Sequence, residues 1–184
     1  DYIQPKIGSD LLLLKGIAKA LLESNAIAED YIANHTEDFD KFAQDINNTL
    51  WQAIVATTGV SEIDIRNIAA AYAKSNHAVF AWGMGITHHL HGVENVEAIS
   101  NLALLRGMIG KPAAGLLPLR GHSNVQGIGT VGVKPVLAED VFLQIEKVFG
   151  VILPREKGMD TLACLQAAFD KKIDAALLMG GNLF

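Results

Sequence analysis

The sequence predicts an α/β fold with a parallel sheet, on three observations. Apolar residues recur at helical spacing over most of the chain. Two short apolar runs, 77–82 (His-Ala-Val-Phe-Ala-Trp) and 174–179 (Asp-Ala-Ala-Leu-Leu-Met), break that period and read as buried strands. Each of them runs straight into glycine, at Gly83 and at 180–182 (Gly-Gly-Asn). In parallel α/β sheets the crevice beyond the carboxyl ends of the strands is where ligands bind, so 83–89 and 180–182 are candidate ligand loops.

The elements follow in order. After a loop over residues 5–9, Leu11, Leu14, Ile17, Ala18, Leu21 and Leu22 predict a helix over 10–24, with Ser9 or Asp10 as its cap. Residues 28–34 form a short helix. Phe42, Ile46, Leu50 and Ile54 predict one helix over 38–57, stopped by Gly59. Ser61-Glu-Ile-Asp64 is a variant capping box and opens a helix to Lys74. A helix over 93–106 follows the first strand. Residues 107–127 are rich in Gly and Pro and read as one long ordered loop, a length that in compact domains is often functional. Helices over 139–149 and 161–171 complete the pattern.

Half of the 184 residues are hydrophobic and 19% are charged, enough for a sizeable core. The net charge is −5 with scattered Lys and Arg, which argues against a nucleic-acid partner. The single cysteine suits a reducing, cytoplasmic setting, and the apolar run at 11–14 is too short to span a bilayer. Cys164 sits in an apolar helical stretch and reads as a small buried hydrophobe.

Chemistry concentrates in residues 120–127 (Arg-Gly-His-Ser-Asn-Val-Gln-Gly). A guanidinium, an imidazole, a hydroxyl and two carboxamides stand there between glycines, with no acidic side chain. Such a loop donates to phosphates and heterocycle edges while its glycines allow close backbone approach. Gly83-Met-Gly85 resembles the start of a dinucleotide fingerprint, but His88 occupies the place of the third glycine. Its two readings are a tight strand-to-helix turn, or bare backbone N–H groups facing an anionic ligand. His88, His89, His91 and His122 match no zinc-ligand spacing, so no metal ligand is assigned. Asp10 and Asp64 read as helix caps.

Residues 82–89 (Trp-Gly-Met-Gly-Ile-Thr-His-His), 101–112 (Asn-Leu-Ala-Leu-Leu-Arg-Gly-Met-Ile-Gly-Lys-Pro) and 118–127 together resemble the large subunit of the molybdopterin oxidoreductases, formate dehydrogenase-like branch. The resemblance takes in Gly8-Ser9-Asp10, the region from Tyr31 to Phe42 with His35 and Thr36, and the Gly-Gly-Asn at 180–182. It implies three-layer α/β cofactor-binding lobes, here incomplete, divided within 107–134 into 1–119 and 120–184. It also implies a molybdenum or tungsten ion on two molybdopterin guanine dinucleotides, and two-electron oxidation or reduction of a small anionic substrate.

Carried over by position, Gly83, Met84, Gly85 and His88 match a loop lining one pterin guanine dinucleotide. Arg120 matches the arginine bordering the metal pocket, with His122 beside it as a second catalytic position. Asn124, Gly181 and Asn182 match further cofactor contacts. Formate dehydrogenases of this type usually carry Gln where this sequence has His88 and His122. The same resemblance places an iron–sulfur cluster and the Cys or selenocysteine metal ligand N-terminal to this stretch, and a cap domain after it. The expectation is therefore an internal fragment, inactive and cofactor-free alone, whose partners are the rest of its subunit and an electron carrier. On the residues alone, a free-standing nucleotide-binding or regulatory module is the other reading.

Overall fold

The computed structural model describes residues 2–132 and 136–177. The expected ligand positions Gly181 and Asn182, the last two residues of the run at 174–179, and Lys134 fall outside them. The chain divides into two compact units, 1–127 and 128–184.

In the first unit, helix α1 (Asp10–Glu23) lies at the centre, against α3 (Phe39–Asn48), α4 (Trp51–Thr58), α5 (Glu62–Lys74) and α6 (Gly92–Leu105). Helix α2 (Glu29–His35) packs on α6. Their shared core is built on Leu21, Ile46, Ile54, Ile65 and Leu102, each at most 2% exposed. Gly16 lets the helices close: a Cβ there would stand 3.1 Å from Ile54 Cγ2 and 3.2 Å from Ile65 Cγ2.

Strands β1 (Val79–Trp82) and β2 (Gly115–Pro118) pair in parallel, with Val79 opposite Gly115 and Trp82 opposite Pro118. Helix α6 connects them, so β1–α6–β2 is a βαβ unit and the expected α/β class holds. Phe80 turns to the core and meets Tyr72 edge-on, ring centroids 5.3 Å apart.

Several expectations need correction. The helix over 38–57 is two helices, broken where Thr49 and Leu50 are extended (ψ 112° and 137°). Asn47, Asn48 and Thr49 are weak helix formers that compete for backbone bonds, and the Thr49 hydroxyl donates to the Asp45 carbonyl at 2.9 Å. β1 is not buried on both faces: Val79 is 55% exposed, because among the described residues the sheet has two strands and one covered face. The long loop at 107–127 contains β2 and the start of helix α7 (Val125–Thr130). Residues 174–177 are exposed and form no strand, since no neighbouring strand among the described residues pairs with them.

The second unit carries α8 (Glu139–Phe149) and α9 (Thr161–Phe169). Arg155 organises it, bonding Glu146 at 2.9 Å while its guanidinium lies 4.8 Å from the Phe142 ring centroid. Asp160 caps α9, its side chain accepting from the Ala163 N–H. Cys164 is half-buried rather than buried, with its thiol 3.8 Å from the Met159 carbonyl, because α9 leaves much of its apolar surface open.

Candidate functional site

The parallel pairing of β1 and β2 decides where the two chemistry-bearing loops go. Both strands run the same way, so both carboxyl ends open at one edge. The ladder extends one residue further, with Leu119 N–H donating to the Trp82 carbonyl at 2.8 Å. The chain leaving β1 therefore starts beside the chain leaving β2, and between them lies a cleft of about 400 Å3.

One wall is Trp82, Gly83, Met84 and Thr87; the other includes Arg120, Gly121 and His122. The cleft thus joins a guanidinium and an imidazole and contains no carboxylate. Among the described residues no ion pair or hydrogen bond engages the Arg120 guanidinium, which leaves it free to meet an anion.

The glycines in the cleft differ in purpose. Gly83 has an extended backbone (φ −104°, ψ −166°) that any residue adopts, and a Cβ there would meet nothing within 4 Å. Neither backbone strain nor the protein's own packing calls for glycine at this point, so what it offers is bare backbone toward the cleft. Gly85 is likewise open, while Gly121 is not: a Cβ there would collide with the Met84 sulfur. Met84 thus lies on Gly121 and joins the two walls.

Residues 84–87 form a short 3-10 turn. The Thr87 hydroxyl donates to the Met84 carbonyl at 2.9 Å, and α6 begins only at Gly92. The donors after Gly83 therefore belong to this turn and not to the first turn of a long helix.

Of the site residues read from sequence, the structure brings Gly83, Met84, Arg120 and His122 together. Gly85 and His88 are exposed beside the cleft and outside its lining. The Asn124 carboxamide lies against Gly127, where a Cβ would collide with it, and is also outside the lining. Trp82, Thr87, Pro118, Leu119 and Val125 also line the cleft; the sequence placed them inside the motif stretches 82–89 and 118–127 without marking any of them as a site residue. The signal for them was the pairing of 79–82 with 115–118, hidden because Gly115 and Pro118 read as loop punctuation.

Asp10 reads from the sequence as a helix cap, but it is the first residue of α1, Ser9 holds the cap position, and no side-chain cap hydrogen bond forms there. Instead, Asp10 Oδ2 stands 3.5 Å from His89 Nε2, an ion pair when the imidazole is protonated. That contact ties the loop after the turn to the start of α1. Among the described residues, no group of three or more His, Cys, Asp or Glu is gathered to hold a metal ion.

The molybdopterin oxidoreductase family profile matches residues 1–184, and the chain belongs to that family of enzymes. It is 37% identical over 191 aligned residues to Protein YdeP of Escherichia coli (strain K12), an alignment covering 98% of this chain and 25% of that protein. It is 32% identical to the Staphylococcus aureus (strain MRSA252) protein named "Putative formate dehydrogenase SAR2393", covering 97% of this chain and 19% of the relative. The chain therefore spans about a quarter or less of the length of these curated relatives. Among solved structures it is similar to acetylene hydratase from Pelobacter acetylenicus, with a TM-score of 0.57 and 16% identity over 59% of this chain and 15% of that one. That likeness is one of fold.

Proposed function

We propose that the cleft at the carboxyl ends of β1 and β2 is one wall of the site for a molybdenum or tungsten bis(molybdopterin guanine dinucleotide) cofactor, in a formate dehydrogenase-like oxidoreductase. The observation that carries this reading is the open backbone at Gly83 opposite Arg120 and His122, in a chain of the molybdopterin oxidoreductase family. A cleft with two cationic or donor side chains, no carboxylate and open glycine backbone at Gly83 fits a ligand that is both anionic and flat.

In this reading the backbone at Gly83 and the Met84 side chain support the pterin portion, with Gly85 and His88 on the adjoining surface. Asn124, Gly181 and Asn182 are further cofactor contacts. The bound cofactor supplies the two-electron exchange. Arg120 holds a small anionic substrate, and His122 donates a hydrogen bond beside it and stabilises charge that develops there. Residues 1–119 and 120–184 contribute to two related cofactor-binding lobes, with the change of lobe inside 107–134. The iron–sulfur cluster and the metal-ligating residue belong to other parts of the full-length protein, which works in the cytoplasm with an electron-transfer partner. This stretch by itself is inactive.

The test is Arg120→Ala in the full-length enzyme, assayed with formate and a panel of small carboxylates. Loss of a charge-assisted hydrogen bond costs about 1.5–3 kcal/mol, so KM for the anionic substrate should rise about 10- to 100-fold while pterin content is kept. Unchanged KM and unchanged kcat would remove Arg120 from the site.

A further inference from the structure

The 3-10 turn that carries Met84 is not held by the sheet alone. Asn95, in the first turn of α6, is 2% exposed, and its Nδ2 donates to the Ile86 carbonyl at 2.9 Å, inside the turn. One turn-start earlier, Gly92 is buried against the same segment: a Cβ there would stand 2.5 Å from the Thr87 carbonyl oxygen. Helix α6 and the turn are therefore in backbone contact at Thr87 and hydrogen-bonded at Ile86. Through its hydroxyl, Thr87 in turn holds the Met84 carbonyl.

The other half of the Asn95 amide is an anomaly. Its Oδ1 is buried without a hydrogen-bond partner. A buried acceptor left unsatisfied is destabilising, and an apolar side chain of similar size would fill the space without that cost. What asparagine supplies and leucine does not is the donor to Ile86. That donor acts on the turn and on nothing else among the described residues.

We infer that Asn95, with Gly92, is a positioning residue for the cofactor loop. It fixes the 3-10 turn on α6 and so sets how far Gly83 and Met84 project into the cleft. The inference rests on the reading of the cleft as a pterin site. It assigns no chemistry to Asn95, which acts through the Ile86 carbonyl.

The test compares wild type, Asn95→Leu and Asn95→Asp in the full-length holoenzyme, reading the rate of pterin release in mild denaturant and the melting temperature of the cofactor-free protein. Both variants lose the donor, and leucine also removes the orphaned acceptor. Asn95→Leu should keep its melting temperature and release pterin about five- to tenfold faster, the effect of one lost hydrogen bond. Gly92→Ala, which pushes on Thr87 directly, should speed release in the same direction. Release at the wild-type rate in Asn95→Leu overturns the inference. So does a fall in melting temperature in every variant that accounts for all of the faster release, since that is a structural role only. Wild-type enzyme with no pterin to release overturns instead the reading of the cleft.

Discussion

Single side chains in this protein do different work according to what surrounds them. Burial pushes the Glu23 carboxyl up, but hydrogen bonds from Trp51 Nε1 at 3.0 Å and Arg66 at 2.7 Å, with the charge of Arg66, hold it below its ordinary value of 4.5. A carboxylate depressed on folding adds stability above its unfolded pKa, and the gain is lost as pH falls through the folded value. Melting temperature should therefore fall as pH drops below about 4.5, and Glu23→Gln should flatten part of that fall, read by thermal melts across pH 3–7. An unchanged acid limb in the variant would show that Glu23 does not contribute to the acid loss of stability. Half-buried Tyr72 shifts the opposite way, raised by desolvation, and its hydroxyl donates to the Leu102 carbonyl at 2.8 Å. Residue identity alone announced Arg120 and His122, because loops that rich in donors seldom build cores. It did not announce Asn95, whose side chain looks like any polar position on a helix until its burial is known.

Elements were legible where local chemistry decides them. Ser61-Glu-Ile-Asp64 predicted a helix start, and the Ser61 hydroxyl accepts from the Asp64 N–H at 3.1 Å while donating to its carboxylate at 2.6 Å. Ser61→Ala should cost about 1 kcal/mol of stability by chemical denaturation, with little effect on cofactor binding. A null result would mean that packing on α1 alone holds α5 in place. Periodicity failed where tertiary pairing decides. Phe42, Ile46, Leu50 and Ile54 keep helical step across the break at Thr49, so spacing could not reveal two helices. Gly115-Leu-Leu-Pro118 is only four residues long, and its strand character comes from lying beside Val79–Trp82. Missing β2 hid the fact that the two candidate loops leave neighbouring strands.

At the scale of the whole molecule, the order of motifs carried more information than any one of them. Short glycine loops are weak signals, yet three motif blocks in sequence pointed to one family, and the family profile covers residues 1–184. The class of fold follows from the β1–α6–β2 unit, which also explains why residues 82–87 and 118–125 meet. Sequence could not supply that meeting, because it depends on strand register. Apolar side chains in the second unit stay open, with Ile152 95% and Phe169 83% exposed. This suits a stretch that spans a quarter or less of the length of its curated relatives.

Metal and pterin content of the purified full-length protein decides whether this cleft holds a metal–pterin cofactor. Elemental analysis with pterin quantification should find molybdenum or tungsten near stoichiometry, with two pterin guanine dinucleotides for each metal ion. A folded full-length protein, produced in cells able to make the cofactor and carrying neither metal nor pterin, would contradict this assignment of the cleft.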